Sequence, residues 1–348
     1  MRGIPKLVLS TLVASMLGLA GLVGCRSEGK RQRLVVYSPH GRDLLEALER
    51  SYETAHPEID VRWLDMGSQE VYDRVRSEKV NPQADVWFGG PDTIFARGGR
   101  EGLLDGWVPS WSARIPASSR REGFVGVYRT LPVLVWNREV VAEGEAPRDW
   151  EDLLQSRWKG RILFRDPVAS GTLRTVWGMV LSRSVTATGS TEAGFAWLRR
   201  LDAQTKEYAA NPALLFEKLV RREGAVTVWE LSDILLQQQR GVPMAYGLAT
   251  SGTPVINDAV ALVKGAPHGA AAKDYIEWLG SDEAQLLACE RAFKIPARTD
   301  LESARLAPWA QEVLARLVPA PVDAALMERE SAAWMDEWDR TVRGRGAE

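Results

Sequence analysis

The stretch Leu34-Val35-Val36-Tyr37-Ser38-Pro39-His40-Gly41 opens the part of the chain that decides the fold. Its first four residues predict a short buried strand, and the Pro and Gly that follow predict a turn. A helical pattern comes next, a second strand pattern occupies Ile59–Leu64, and Ala84–Phe88 predicts a third strand that ends at Gly89-Gly90-Pro91. This alternation indicates a βαβαβ unit with parallel strands, in which ligands bind beyond the carboxyl ends of the strands.

The same alternation continues through the middle of the chain. Strand patterns lie at Leu131–Val135, Gly160–Phe164 and Ala225–Trp229. The second of these runs into Asp166-Pro167 and then into Ser170-Gly171-Thr172, where a helix is predicted to begin. About 315 residues remain from Leu34 onward, which is long for one hydrophobic core. The sequence therefore predicts an α/β protein with two doubly wound lobes.

The amino terminus has the pattern of an export signal. Arg2 and Lys6 precede an apolar run that ends at Val23, and Gly24-Cys25 follows. A basic start, a short apolar stretch and small residues are typical of a secretory signal. A Cys in this place resembles the end of a bacterial lipobox, which implies a lipid on Cys25 and a membrane-anchored protein on the periplasmic or extracellular face. A transmembrane anchor is the alternative, because the run is near the lower limit of ~17–20 residues for a span.

Composition argues against several function classes. The chain has 44 basic and 46 acidic residues, so its formal net charge of −2 offers no basic excess for nucleic acid. Cys289, the only other cysteine, falls in a helical apolar pattern and is expected to be a buried thiol. With three His residues and no Gly-x-Ser-x-Gly or His-Glu-x-x-His motif, we expect a protein that is not an enzyme and needs no cofactor or metal.

Seven short motifs, in this order, resemble the periplasmic solute-binding proteins of ABC importers, in the branch that includes ferric-ion, thiamine, phosphonate and sugar-phosphate binders. The motifs are Val35–Ser38, Ala84–Trp87 with Gly102–Leu104, Trp150–Leu154 with Arg157–Gly160, Asp166-Pro167 with Ser170–Thr172, Gly252–Val255, Val263–His268 and Ser281–Gln285. The resemblance covers nearly all of Leu34–Leu301. It implies a type II periplasmic binding fold, in which two lobes joined by crossover strands close on a ligand in a central cleft.

The resemblance implies that the chain crosses between the lobes near Val127–Leu134 and returns near Gly252–Asp258. The predicted organisation is a signal peptide at 1–24, a tether at 25–33, a first lobe at 34–128 plus 258–300, a second lobe at 129–257, and C-terminal helices at 301–348 packing on the lobes. The implied partners are a small-molecule ligand and the permease and ATPase of an importer. We expect a monomer whose lipid anchor is its only membrane contact. A receptor that feeds a sensor kinase is the alternative.

Ser170-Gly171-Thr172 is the strongest candidate for ligand binding. Backbone N–H groups at a helix start stabilise an anion, Gly171 lets a ligand approach the backbone, and the two hydroxyls add donors. Arg174 lies in the first turn, where a bound anion would compensate for its unfavourable place on the helix dipole. A simple N-cap by Ser170 with a solvated Arg174 is the alternative, and the family order favours the anion site.

Further candidates follow the other strands that end at the predicted cleft. His40 either donates to an anion or caps the first helix, and the two glycines after the third strand either expose their amides or permit a tight turn. Aromatic residues that end strands of the second lobe either line the cleft or pack in the core. These candidates are Ser38, His40, Gly89, Gly90, Trp229 and Tyr246.

The residue types at these positions indicate which class of ligand the cleft suits. Iron binders of this family use a His after the first strand, a Glu after the third, and two adjacent Tyr in the second lobe. His40 fits, but Phe88-Gly89-Gly90 has no acid and the chain has no Tyr-Tyr pair, so bare ferric iron is disfavoured. A small organic ligand with a phosphate, phosphonate or carboxylate end is predicted. A cationic ligand such as thiamine or a polyamine is the alternative, supported by 14 Trp and by Asp85, Glu230, Asp233 and Asp258.

Overall fold

The computed structural model describes residues 31–345. The predicted signal peptide, Cys25 and most of the predicted tether lie outside the described residues. Within the described range, none of the helices has both the length and the hydropathy that crossing a bilayer requires.

Twelve β-strands and eleven α-helices alternate along residues 31–345. The strands are β1 (Gln32–Ser38), β2 (Ile59–Asp65), β3 (Val86–Pro91), β4 (Arg120–Arg121), β5 (Phe124–Thr130), β6 (Pro132–Asn137), β7 (Ile162–Arg165), β8 (Thr205–Ala209), β9 (Val226–Glu230), β10 (Met244–Gly247), β11 (Ile256–Leu262) and β12 (Ile295–Pro296). The helices are α1 (Arg42–Ala55), α2 (Ser68–Ser77), α3 (Asp92–Arg100), α4 (Gly171–Thr188), α5 (Glu192–Asp202), α6 (Pro212–Val220), α7 (Leu231–Gln239), α8 (Gly269–Leu279), α9 (Asp282–Ala292), α10 (Pro308–Arg316) and α11 (Ala324–Thr341).

The first sheet has the strand order β12-β5-β11-β3-β1-β2, with the short β4 beside β5. β1 pairs in parallel with β2 and β3, whereas β11 runs antiparallel to β3 and β5. Helices α1, α8 and α9 bury their apolar residues against one part of this sheet, and α2 and α3 against another. β1 begins at Gln32 on one side of the lobe and delivers Ser38 to the opposite side, where the predicted cleft lies.

The second sheet has the strand order β10-β6-β9-β7-β8. β7 pairs in parallel with β8 and β9, and β6 runs antiparallel to β9 and β10. Its core combines the apolar strands with α4 to α7, and it also takes in Trp334 and Trp338 of α11. The Trp pair at helical spacing therefore packs, as the sequence predicts.

Two connections join the sheets. Leu131 alone separates β5 from β6, and residues 248–255 lead from β10 back to β11. The first sheet thus takes its strands from residues 32–130 and 256–296, and the second from 132–247. The division of the chain into lobes at the predicted boundaries remains an interpretation of this layout. Helix α11 packs on α4 of the second lobe and also reaches α3 of the first, where Glu328 pairs with Arg100.

Cys289 is fully buried in α9, where it packs with Leu306 and Ala310. Burial raises the pKa of its thiol, and a raised thiol pKa lowers reactivity because the thiolate is the nucleophile. The prediction of a buried structural thiol is confirmed.

Candidate ligand-binding site

The two lobes touch where β3 of the first lobe ends and α4 of the second begins. A β-carbon on Gly171 would lie 2.7 Å from Cδ of Pro91 and 3.0 Å from Oγ of Ser68. An ion pair of 2.6 Å between Arg240 and Asp43 also joins the lobes. The start of α4 therefore faces the first lobe directly, and the cleft is closed in this structure.

Two unpaired amides lie at the start of α4. Oγ of Ser170 accepts from the N–H of Leu173 at 3.2 Å, and the carbonyl of Ser170 accepts from the N–H of Arg174 at 2.9 Å. The N–H groups of Gly171 and Thr172 have no hydrogen-bond partner within residues 31–345. Unpaired amides at a helix start carry partial positive charge. Ser170 therefore acts as the N-cap while the next two amides remain available to an anion.

Arg165 is a buried cation that the sequence analysis did not single out. It ends β7, its residue is 7% exposed, and Nη1 donates to the carbonyl of Ala209 at 3.3 Å. No carboxylate within residues 31–345 forms an ion pair with it. Burial lowers the pKa of the guanidinium, and the charges of Asp166 and Glu70 act in the opposite direction. Nη2 lies 3.9 Å from the position of a β-carbon on Gly67, so the guanidinium faces the start of α2 in the first lobe.

Two buried polar atoms have no hydrogen-bond partner among the described residues near the end of β1. They are Nε2 of His40 and Oη of Tyr128, whose rings lie 5.8 Å apart. The His40 ring also lies so close to Gly89 that a β-carbon there would be 2.5 Å from it. Burial lowers the pKa of His40 well below its usual value, and the charge of Lys294 acts in the same direction. A neutral imidazole and a phenol therefore offer hydrogen bonds at this place.

The turn after β1 and the end of β3 are tied to their surroundings. Ser38 is fully buried, and its Oγ accepts from the N–H of His40 at 3.2 Å. Gly90 has a φ of 101°, which glycine tolerates. Its N–H donates to Oδ1 of Asp258 at 3.3 Å, so this amide is engaged within the protein. Of the two sequence alternatives, an amide exposed to a ligand or a tight turn, the structure disfavours the exposed amide at Gly90. Its α-carbon faces Ser68, because a β-carbon on Gly90 would lie 3.4 Å from Cβ of Ser68.

A cluster of one cation and three carboxylates, called the acidic cluster below, lies between the lobes. It consists of Lys294, Glu230, Asp233 and Asp258. Nζ of Lys294, which is 2% exposed, donates to Oε1 of Glu230. Asp233 accepts from the indole N–H of Trp229 at 2.7 Å. The sequence drew attention to the three acids but missed Lys294.

The electrostatics of the acidic cluster are unbalanced. Burial raises the pKa of Asp233 and of Asp258 to about 7, the charge of Glu230 acts in the same direction, and that of Lys294 opposes it. One cation among three carboxylates leaves an excess of negative charge as these acids ionise. No group of three or more His, Cys, Asp or Glu in the described part of the chain is arranged to hold a metal ion.

We expect the protein to lose stability as the pH rises from 6.5 to 8. The pKa values of Asp233 and Asp258 are about 7 in the folded protein and near 3.8 when unfolded. Their contribution is therefore fully present below about pH 4 and is lost as the pH rises through 7. The lowered pKa of His40 works in the opposite direction, but only up to about its ordinary value of 6.5. Thermal unfolding between pH 6.5 and 8 should show a loss on the order of 1 kcal/mol per pH unit.

Asp258→Asn should reduce this pH dependence, because it removes one of the two titrating groups. Asp336→Asn, on the exposed face of α11, is the matched control and should leave the slope unchanged. A wild-type melting temperature that stays constant over this pH range contradicts the prediction.

The other three predicted residues have separate surroundings. Nη2 of Arg174 donates to the carbonyl of Val168 at 2.5 Å, and the side chain lines a water-sized interlobe cavity of about 20 Å³. Trp229 is 5% exposed and packs in the second core beside the acidic cluster. Tyr246 is half-buried on β10, where burial raises its pKa and the charge of Glu312 on α10 adds to the effect. The structure thus brings Gly171 and Arg165 to the start of α2, and places Tyr246 beside α10.

Two α/β lobes that are joined by short crossings and meet across a cleft define the type II periplasmic binding fold. The model of the bacterial extracellular solute-binding protein family matches residues 34–288, and the chain belongs to that family. It is an extracytoplasmic binding protein of the kind that serves ABC importers, and not an enzyme. The predicted fold class and family are confirmed.

Curated relatives agree with this assignment, and solved structures share the fold. The chain is 28% identical over 316 residues to the probable ABC transporter periplasmic-binding protein y4fP of Sinorhizobium fredii, covering 89% of this chain and 86% of that protein. It is 28% identical over 250 residues to a putative 2-aminoethylphosphonate-binding periplasmic protein of Salmonella typhimurium, covering 70% and 71%. The structure of AfuA from Actinobacillus pleuropneumoniae, with exogenous fructose-6-phosphate bound, superposes with a TM-score of 0.79 at 22% identity, covering 90% and 99%.

Proposed function

We propose that the protein captures a small organic anion between its lobes and delivers it to the permease and ATPase of an ABC importer. The observation that carries this proposal is Arg165, a buried cation without a carboxylate partner in the described residues, on the same side of the second lobe as the free amides of Gly171 and Thr172. A guanidinium and a helix start both suit phosphate, phosphonate or carboxylate oxygens. An anion held there contacts the start of α2 as well, so that it favours the closed state.

The acidic cluster supports an amine at the other end of the same ligand. Its excess negative charge attracts a cation, and the charge of Lys294 in this cluster acts on His40, whose Nε2 has no hydrogen-bond partner among the described residues. Gly90 links the acidic cluster to the start of α4. Its N–H donates to Asp258 of the acidic cluster. Its α-carbon faces Ser68, and Ser68 lies against Gly171 at the start of α4. Gly90 thus lies between the two ends, and a short ligand with its amine two or three carbons from the anionic group suits this arrangement.

The names of the relatives support an anionic organic ligand, but they do not decide between a phosphonate and a sugar phosphate. The ligand in the name of the Salmonella relative, 2-aminoethylphosphonate, has both an amine and an anionic group. Fructose-6-phosphate, which is bound to AfuA, has only the anionic group. We propose that an aminoalkyl phosphonate is preferred over a sugar phosphate. We also infer, from the sequence pattern alone, that Cys25 carries the lipid anchor and that the protein is monomeric.

Ligand screening by thermal shift and calorimetry tests this function. The screen uses the lipid-free protein from Arg26 to Glu348, which contains every residue that the structure describes. The panel pairs 2-aminoethylphosphonate with ethylphosphonate, and adds fructose-6-phosphate, spermidine, thiamine and ferric citrate. We expect 2-aminoethylphosphonate at 100 times its Kd to stabilise the protein by about 2.7 kcal/mol. Ethylphosphonate should bind at least about tenfold more weakly, because it leaves the acidic cluster without a cation.

The compounds of the panel test the amine end and the anion end of the proposed ligand separately. Equal affinities for the two phosphonates would exclude the amine end and leave the anion end standing. Binding of spermidine, thiamine or ferric ion without any response to phosphonates would overturn the anionic ligand class.

A further inference from the structure

The loop that leads into α4 is organised by Asp166. Its carbonyl accepts from the N–H of Ala169 at 3.2 Å and from that of Ser170 at 3.0 Å. Its Oδ1 also accepts from the N–H of Val168 at 2.9 Å. The direction in which the Gly171 amide points follows from this arrangement, because Ser170 is the N-cap of α4. Asp166 therefore fixes the conformation in which the helix begins.

The carboxylate of Asp166 is held by Arg343, which follows α11 near the end of the described residues. Nη2 of Arg343 pairs with Oδ1 of Asp166. The guanidinium lies 5.0 Å from the ring centre of Trp338 and 5.7 Å from that of Tyr208, and its Nε is 2.8 Å from Oδ1 of Asp339. Because Trp338 is fully buried in the second core, these contacts hold Arg343 in place independently of the loop.

Helix α11 also connects this pairing to the meeting of the lobes. Near its start, Met327 packs against Gly178 of α4, so closely that a β-carbon on that glycine would lie 2.7 Å from Cε of the Met. The next residue, Glu328, pairs with Arg100 of the first lobe. One helix thus carries a contact between the lobes at one end and, just beyond the other, the residue that holds the α4 loop.

We propose that Arg343 is a positioning residue that sets ligand affinity by holding Asp166, and through it the amides that begin α4. Without the guanidinium, the Asp166 carboxylate loses its ion pair with Arg343, and the loop is free to leave the conformation that begins α4 with unpaired Gly171 and Thr172 amides. The affinity part of this inference rests on the proposed function; the ordering of the loop does not.

Three variants of the full mature protein test the inference. Arg343→Gln removes the cation, and Asp166→Asn removes the charge while keeping an oxygen that accepts from Val168. Arg340→Gln is the matched control, because this exposed arginine of α11 has no ion pair within residues 31–345. We expect the first two to weaken the binding of 2-aminoethylphosphonate about tenfold, and the control to leave it unchanged. The double variant should lose no more than either single one, since both remove the same contact.

Hydrogen exchange of the hydrogen-bonded amides of Ala169, Ser170 and Leu173, measured without ligand, gives a second readout that does not depend on the ligand class. Arg343→Gln should speed this exchange, Arg343→Lys should restore much of the protection, and Arg340→Gln should leave it unchanged. If the wild type does not bind 2-aminoethylphosphonate, the proposed ligand fails while the exchange still decides the role of Arg343. If Arg343→Gln does not fold, Asp166→Asn decides it. Unchanged exchange, or additive affinity losses in the double variant, would overturn the inference.

Discussion

Arg165→Gln is expected to weaken the binding of 2-aminoethylphosphonate roughly a hundredfold, because removing one partner of a buried charged pair costs several kcal/mol. The unliganded protein should be at least as stable as the wild type, since an unpaired buried charge is itself unfavourable. Calorimetry gives the affinity, and thermal unfolding without ligand gives the stability. The combination of weaker binding and undiminished stability distinguishes a ligand contact from a structural residue.

Arg161→Gln is the matched control for this variant. Arg161 directly precedes β7, at the strand end opposite Arg165, and is exposed. Its replacement should change the affinity less than about twofold. If Arg165→Gln binds within about threefold of the wild type, or if it loses both stability and binding together, Arg165 is not the anion contact.

Gly171→Ala is expected to prevent full closure and to reduce ligand affinity roughly a hundredfold. The added β-carbon would lie 2.7 Å from Cδ and 2.9 Å from Cγ of Pro91, and a proline ring in the first lobe has little freedom to move away. The clash exists only where the lobes meet, so each lobe should stay folded, and alanine is a better helix former than glycine. Small-angle scattering should show that the variant stays more extended than the wild type at saturating 2-aminoethylphosphonate.

Gly269→Ala provides the control for the change of residue type. Gly269 is also the first residue of a helix, and nothing lies within 4 Å of the position of its β-carbon. This variant should bind and compact like the wild type. A Gly171→Ala protein that binds normally and compacts normally would show that the approach of α4 to Pro91 is not needed for binding.

Short sequence patterns were sufficient to predict those helices and strands that depend on neighbouring residues in the chain. The start of α4 was predicted because a capping Ser and a Gly precede an apolar helical pattern, and the structure confirms a helix over Gly171–Thr188 with Ser170 as its N-cap. β1 was predicted from four apolar residues and extends over Gln32–Ser38. β8 was missed, because Thr205–Ala209 is an edge strand with little apolar character and much of it is half-buried.

The residues that the sequence analysis missed depend on contacts between distant parts of the chain. From the sequence alone, Arg165 is expected to be a solvated residue at the end of a strand. In the structure its guanidinium faces the start of α2 in the other lobe. Buried Lys294 finds its partner in Glu230, 64 residues earlier in the chain. The sequence left the Gly90 amide either exposed to a ligand or part of a tight turn, and in the structure it donates to Asp258 of β11. In each case the deciding neighbour comes from another strand or lobe, which a periodic pattern cannot report.

The direction of β1 bears on how the protein would hand over its cargo. A seven-residue strand covers about 23 Å, so the side of the body from which the chain leads back toward Cys25 is remote from the mouth that admits the solute. With an acyl group on Cys25, the six peptide steps to Arg31 reach only about 20 Å. The mouth then points away from the leaflet that holds the anchor. Delivery to a channel in that same membrane would require the body to turn over, and a connection of about 20 Å limits this turn. An anchor in a facing membrane would present the mouth without any turn.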